Sequence, residues 1–194
     1  MKRMIVAVDL QKDFASGVLG SKQALEAVKN SANFLEQLTK KDNNAYLLGT
    51  LDTHNENYLE TREGKNLPIV HCVEGTEGYK LEDEINVFFE EKKNLFNTTH
   101  LLPKITFGAY NIGTVINNCF VEKPDEFVIF GLDTDICVVS NFVLLRAYFP
   151  ETPIYVLSDC SAGVTKETHN AALTTMKSMQ AIIITSEEYL KNMV

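Results

Sequence analysis

The sequence contains no tryptophan and no cysteine pair at C-x-x-C spacing. Its four cysteines, at positions 72, 119, 137 and 160, stand far apart. That spacing argues against a zinc ribbon or a disulfide framework, and it fits a reduced, cytoplasmic setting. No apolar run approaches the roughly 20 residues of a membrane span, so no membrane partner is expected. The start, MKRMIVAVDLQKDF, reaches Asp9 too soon to hold the apolar stretch of a signal peptide. Basic residues are outnumbered, 18 Lys and Arg against 26 Asp and Glu, which leaves a net charge of -8. Phosphate binding needs a basic face, so nucleic acid is not an expected partner. With no indole available, the walls of any ligand pocket must come from other side chains.

What is present is an ordinary globular composition, 45% apolar and 23% charged. A chain of 194 residues is long enough for one domain over 1–194 with a sizeable core. Short apolar or β-branched runs alternate with longer helical patterns. The runs Arg3–Val8, Ala45–Thr50, Phe127–Gly131, Ile154–Leu157 and Ala181–Thr185 read as strands, and Asn94–Phe96 is a weaker candidate. Their unbroken apolar character marks strands covered on both faces, as in a parallel sheet. Ser21 to Lys41 carries Leu25, Val28, Ala32, Leu35 and Leu38 near a 3.6-residue period. Lys166 to Met179 reads as a helix with Thr165 as N-cap. Cys137 to Tyr148 is apolar nearly all round, which suggests an interior position or a subunit contact, and a homo-oligomer is expected. The alternating order predicts a three-layer α/β/α, doubly wound, mostly parallel sheet. No period is evident over much of 52–79 and 97–107, and long irregular segments in compact domains are often functional.

Ligands of open α/β sheets sit beyond the carboxyl ends of the strands. That rule selects Asp9, Asp52 and the segment after Gly131. Cys137 follows that glycine at a helix start, with Thr134 or Asp135 available as N-cap. A helix N-terminus favours a thiolate and can hold a developing oxyanion. The plain alternative is an inert buried cysteine. Asp9 ends an apolar strand, where a carboxylate is costly to bury unpaired; as a base it can take the thiol proton. Asp13 is the better candidate for a turn or capping role. Lys104, between a proline and an apolar stretch, is either a surface charge or a counter-charge to Asp9 and the thiolate. Asp52, His54 and His71 form a three-ligand metal pattern, with Glu60 or Glu63 as a possible fourth ligand, although Asp-x-His by itself is a weak motif. His100 and His169 read as surface or capping residues, and Cys72, Cys119 and Cys160 as packing.

Taken in order, VDLQKDF with Asp9, KITFGAY with Lys104 and GLDTDICV with Cys137 resemble the isochorismatase-like cysteine hydrolases. Within that family, DTH followed by EGKNLPIVHCVEGTEG is similar to the nicotinamidase/pyrazinamidase branch. The resemblance runs from the first strand to at least Ser161. It implies a catalytic triad of Cys137, Asp9 and Lys104. It also implies a cis peptide at Leu132–Asp133 and an oxyanion hole from the backbone N–H groups of Asp133 and Cys137. The implied metal ligands are Asp52, His54, Glu63 and His71, holding one zinc, manganese or iron ion, and Phe14 is implied to line the substrate pocket. Many nicotinamidases carry a tryptophan shortly before the last metal histidine; here that stretch is LPIV. The implied activity is hydrolysis of a small amide through a thioester, nicotinamide first, within NAD salvage. The rivals are a related hydrolase for another small amide, carbamoyl or ureido compound, and a non-enzymatic thiol sensor. A sensor would usually need a resolving cysteine, and none is adjacent to Cys137.

Overall fold

In the computed structural model of the chain, residues 1–119 and 123–193 are described. Six strands form one sheet: β1 (Arg3–Val8), β2 (Tyr46–Asp52), β3 (Thr98–Lys104), β4 (Glu126–Leu132), β5 (Ile154–Ala162) and β6 (Ile182–Ile184). All pairings are parallel and the order is β3-β2-β1-β4-β5-β6. Every residue of β1 and β4 is buried, because both faces of these central strands are covered. Their side chains alternate between two cores. Ile5, Ala7, Val128 and Phe130 face one core; Met4, Val6, Val8, Phe127 and Ile129 face the other.

The helices are α1 (Lys12–Ala15), α2 (Lys22–Lys41), α3 (Arg62–Asn66), α4 (Asp83–Phe89), α5 (Ile112–Cys119), α6 (Val139–Tyr148), α7 (Lys166–Ser178) and α8 (Ser186–Asn192). The first core takes α2, α4 and α8 through Val28, Phe34, Leu35, Phe88 and Tyr189. The second takes α5, α6 and α7 through Ile116, Phe142, Leu145 and Met176. This is the expected three-layer α/β/α arrangement. Ser21 caps α2, its side chain accepting from the Ala24 N–H at 3.0 Å. Thr165 caps α7, accepting from the Thr168 N–H at 3.1 Å.

Three local expectations are corrected. Asn94–Phe96 is not a strand; Lys93–Leu95 forms a single 3-10 turn, and the strand follows at Thr98–Lys104. This β3 lies at the sheet edge, pairing only with β2, so it needs no continuous apolar run and tolerates Pro103. Leu25 does not join the buried face of α2 but is exposed, and Phe34 fills the core instead. The helix after Cys137 is not interior on all sides, since Val143 and Tyr148 are exposed. Cys119 was expected to pack, but its side chain lies outside the described residues.

The close pairing of β1 and β4 at Val8 and Gly131, their crossing point, lies at the end of the sheet that carries the site. Gly131 has φ +134, and a Cβ there would lie 2.0 Å from the Val8 carbonyl oxygen. Only glycine lets β4 pass this close to β1 in that conformation. Gly131→Ala is therefore expected to lower stability by more than about 2 kcal/mol, read as a fall in the denaturant midpoint. An unchanged midpoint would contradict this reading of the crossing.

Candidate active site

Four neighbouring strands bring the chemistry together at one end of the sheet. Lys104 ends β3 and pairs in register with Asp52, which ends β2. Asp9 follows β1, whose Val8 pairs with Thr50 and with Gly131. Cys137 follows β4 by five residues. The Lys104 ammonium lies 2.7 Å from Asp9 Oδ2, 2.9 Å from Asp52 Oδ1 and 3.6 Å from Cys137 Sγ. Asp9, Lys104 and Cys137 are 0%, 3% and 4% exposed. The three residues expected as a triad therefore sit together.

Burial and mutual charge set the protonation states. Burial raises the Asp9 pKa, with Lys104 opposing it. Burial alone would lower Lys104, but Asp9, Cys137 and Asp52 hold it firmly charged. Burial and the neighbouring Asp9 push the Cys137 thiol well above its ordinary value. The resting site thus holds a thiol beside a carboxylate–ammonium pair. Asp9 Oδ1 accepts from the Thr50 hydroxyl at 2.6 Å. Asp9 Oδ2 touches Lys104 as an ion pair and lacks an aligned hydrogen bond, so it keeps a lone pair for an incoming proton. The Asp9 backbone has φ 47, a conformation that is strained for a non-glycine residue and that concentrates at functional sites.

Cys137 stands in a π-helical turn, Thr134–Val138, that runs into α6. The expected N-caps Thr134 and Asp135 do not cap it. The cap position is Asp133, without a side-chain capping bond. Thr134 Oγ1 is instead 2.8 Å from His169 Nδ1, and Asp135 accepts from the Val164 N–H at 3.1 Å. Asn141 steadies the turn by donating to the Cys137 carbonyl at 2.9 Å. Leu132–Asp133 is a cis peptide, as the family resemblance implies.

The second group lies just across Lys104. Asp52, His54, Glu63 and His71 bring four donor atoms within 4.8 Å of one another. His54 Nε2 is 2.9 Å from Asp52 Oδ2 and 3.5 Å from Glu63 Oε1; His71 Nε2 is 3.6 and 3.7 Å from the same two oxygens. Donors that share one tetrahedral ion at about 2.1 Å stand about 3.4 Å apart. His71 Nδ1 donates to the Ile69 carbonyl oxygen at 2.8 Å, which turns Nε2 toward the other donors. Buried His54 Nε2 has no aligned hydrogen bond. These features fit a divalent metal. Glu63 joins the cluster, whereas Glu60 is exposed and outside it.

Several supports carried no signal in the sequence. Buried Gln11 donates to the carbonyls of Asp52 and Tyr79 at 2.9 and 2.8 Å and accepts from the Asp52 N–H at 2.7 Å. Tyr58, fully buried, packs its ring against His54 and His71 at 4.6 and 4.9 Å. Asp13 does not take the capping or turn role expected of it; its carboxylate accepts from the distant Cys72 N–H at 2.8 Å and so pins the segment that carries His71. His169 contacts Thr134 in the turn that carries Cys137, whereas His100 lies on the edge strand. Cys72 and Cys160 are buried free thiols, and burial raises both pKa values. A cavity of about 900 Å³ opens over the two groups, lined by Phe14, Cys137, Asp133, Ile136 and the metal-type ligands. Phe14 meets the His71 ring edge-on at 5.4 Å.

Compared with known families, residues 3–188 match the Isochorismatase domain. The chain belongs to the isochorismatase family. No curated protein matches it by sequence. Solved structures share its fold. Nicotinamidase/pyrazinamidase PncA from Bacillus subtilis has a TM-score of 0.78 at 21% identity, covering 94% of this chain and 99% of that one. N-carbamoylsarcosine amidase from Thermoplasma acidophilum has a TM-score of 0.72 at 19% identity, covering 96% and 97%. Pyrazinamidase of Pyrococcus horikoshii, solved in complex with zinc, has a TM-score of 0.72 at 19% identity, covering 94% and 98%.

In this isochorismatase-family chain Lys104 forms ion pairs with two buried carboxylates at once. Lys104→Met is expected to destabilise the fold by about 3–5 kcal/mol at neutral pH, because it leaves buried charge uncompensated. Asp9 already has a raised pKa, and loss of the ammonium raises it further. The deficit should therefore shrink as pH falls and Asp9 protonates. Denaturant unfolding at two pH values checks this; a deficit that grows at low pH would contradict it.

Proposed function

We propose that the chain is a cysteine amidohydrolase acting on a small amide, with nicotinamide as the leading substrate. The observation that carries this is the contact set around Lys104: a thiol, a carboxylate with an open lone pair, and an ammonium, with the thiol residue lining a cavity. Asp9 Oδ2 takes the Cys137 proton as Sγ attacks the amide carbonyl. Backbone N–H groups of Asp133 and Cys137 hold the oxyanion; loss of one such donor typically costs about 2.7–4 kcal/mol. Asp9 returns the proton to the departing nitrogen, ammonia leaves, and a Cys137 thioester remains. Asp9 then deprotonates a water that attacks the thioester, releasing the acid and restoring the thiol. Lys104 stays protonated throughout and steadies the negative charge as it moves between sulfur and Asp9.

Asp52, His54, Glu63 and His71 would hold one zinc, manganese or iron ion. When bound, such an ion would supply a ligand position for a substrate ring nitrogen. Phe14 covers one face of that ring. The alternative of a carbamoyl or ureido substrate is favoured by one feature: the polar Asp133 side chain lines the same cavity as Cys137. In this reading the chain works in the cytoplasm, in NAD salvage, as a homo-oligomer; exposed Val143, Tyr148 and Tyr110 offer apolar surface for the contact.

Cys137→Ala is expected to lower ammonia release by more than about 10³-fold while the circular dichroism spectrum is unchanged; near-wild-type turnover would remove the nucleophile. Asp9 must be ionised to act, and its pKa is raised by burial. The acid limb of kcat/KM should therefore lie above the ordinary carboxylate value of about 3.9, and a rate flat through that region would argue against Asp9 as base. For His54, burial works against the charged form, but Asp52 and Glu63 hold its pKa up to about 9. Metal must displace that proton, so affinity should rise with pH and uptake should release a proton. Calorimetry with zinc in two buffers of different ionisation enthalpy reads this; no uptake of zinc, manganese or iron would defeat the assignment. Nicotinamide should exceed benzamide in kcat/KM, because benzamide lacks the ring nitrogen; equal values would leave the hydrolase but refute nicotinamide.

A further inference from the structure

His169 takes no part in the chemistry proposed above, yet it holds the turn on which that chemistry depends. The turn Thr134–Val138 is π-helical. Single π turns within helices are uncommon and are frequent at functional sites. The Asp133 carbonyl accepts from the Ile136 N–H at 3.1 Å and from the Val138 N–H at 3.0 Å. The Cys137 N–H, which an α-helical turn would give to this carbonyl, makes no bond to it. The wide turn thus passes over one of the two N–H groups assigned to the oxyanion.

The ties that hold this shape come from elsewhere in the chain. Thr134 is fully buried, and its Oγ1 meets His169 Nδ1 at 2.8 Å. Asp135 Oδ1 accepts from the Val164 N–H at 3.1 Å. Both partners belong to the passage from β5 into α7. Gly163 lies in that passage, where a Cβ would stand 2.6 Å from Asp135 Oδ1 and 3.0 Å from His169 Cβ, so there is no room for even a methyl group. Burial lowers the His169 pKa, with Asp135 opposing; the ring is neutral near neutral pH. A neutral imidazole and a hydroxyl can pair as one donor and one acceptor. A local N-cap would suffice to start a helix here, and Thr134 and Asp135 are both residue types that supply one. Both side chains instead reach a distant segment, and the turn has no side-chain cap.

Resting on the cysteine-hydrolase reading above, we propose that His169 is a positioning residue for the oxyanion hole. Through Thr134 it fixes the turn so that the Asp133 and Cys137 N–H groups converge on one point. His169 does not line the cavity and touches neither substrate nor reacting atoms. Proton transfer from Cys137 to Asp9 depends on Lys104 and Thr50, which belong to other strands. Loss of the His169 contact should therefore weaken the hole and spare the thiol.

Three readouts on zinc-loaded protein separate these effects, in wild type, His169→Ala, His169→Asn, Thr134→Val and the His169→Ala/Thr134→Val double variant. Ammonia release from nicotinamide gives kcat and KM. Alkylation of Cys137 by iodoacetamide, followed by mass, reads the thiol alone: sulfur displaces iodide, a C–S bond replaces the C–I bond, and no oxyanion forms. Protection of Cys137 from iodoacetamide by pyridine-3-carbaldehyde reads the hole: sulfur bonds the aldehyde carbon, the thiol proton passes to Asp9, and the aldehyde oxygen takes the negative charge. His169→Ala and Thr134→Val should each lower kcat, and weaken aldehyde protection, by at least about tenfold, short of the roughly 10²–10³ that follows loss of a whole donor. KM and the alkylation rate should stay within about twofold of wild type, since neither needs the hole. His169→Asn keeps a polar side chain at this position and should recover most of the loss. The double variant should lose no more than either single one, because both remove the same contact. An equal fall in alkylation rate would mean that the substitution merely disorders the turn and would overturn the proposal; so would unchanged kcat and protection. If wild type releases no ammonia, the amidase reading falls by itself, and the alkylation and aldehyde arms still decide on His169. A wild-type thiol that iodoacetamide labels but the aldehyde does not protect has no such hole, which leaves His169 nothing to position and overturns its assignment.

Discussion

One ammonium ties this molecule together. Lys104 Nζ sits between Asp9 and Asp52, both buried, and also touches the Cys137 sulfur. Two carboxylates this close in a low-dielectric interior would not both stay ionised without it. Because Lys104, Asp52 and Asp9 end three neighbouring strands, the ion pair is also a register device. A one-residue slip of β3 or β2 would turn the partner to the opposite face of the sheet. The cores on either side of the sheet and the close passage of β4 at Gly131 hold those strand ends in place. The site is therefore only as well formed as the packing beneath it.

The same ammonium links two chemistries that share no ligand. On one side, burial pushes the Asp9 pKa up while Lys104 opposes the shift. On the other, the Asp52 carboxylate is drawn well below the carboxylate range by His54 and His71, despite its burial. One carboxylate is thus prepared to gain and lose a proton, and its neighbour never to do so. That division suits a centre in which Asp9 moves protons while Asp52 stays an anionic ligand.

The central strands were legible because burial on both faces leaves an unbroken apolar run, as in MIVAV and FVIFG. The edge strand was not, since TTHLLPK is polar at one end and contains a proline. An edge position removes the constraint that makes a buried strand visible. Asp9, Lys104 and Cys137 stood out because charge or a thiol beside apolar runs needs a reason. The two expected caps of the Cys137 turn failed for a tertiary reason: His169 and Val164, distant in sequence, take up Thr134 and Asp135. Gln11, Thr50 and Tyr58 escaped notice because a neutral polar or aromatic residue inside an apolar stretch has many ordinary uses. Only the fold shows which backbone groups and rings they hold. Choosing Glu63 over Glu60 rested on the family resemblance rather than on spacing, and geometry agrees with it.

The account turns on covalent attack by Cys137, and a direct measurement is to look for the adduct. Zinc-loaded protein is mixed with excess nicotinamide, quenched in acid within one turnover, and examined by intact mass followed by peptide mapping. The account predicts a mass increase equal to the nicotinoyl group, confined to the peptide that carries Cys137 and absent from Cys137→Ala. Rapid ammonia release with no adduct at any quench time, and with oxygen from labelled water incorporated in a single step without a burst, would contradict it.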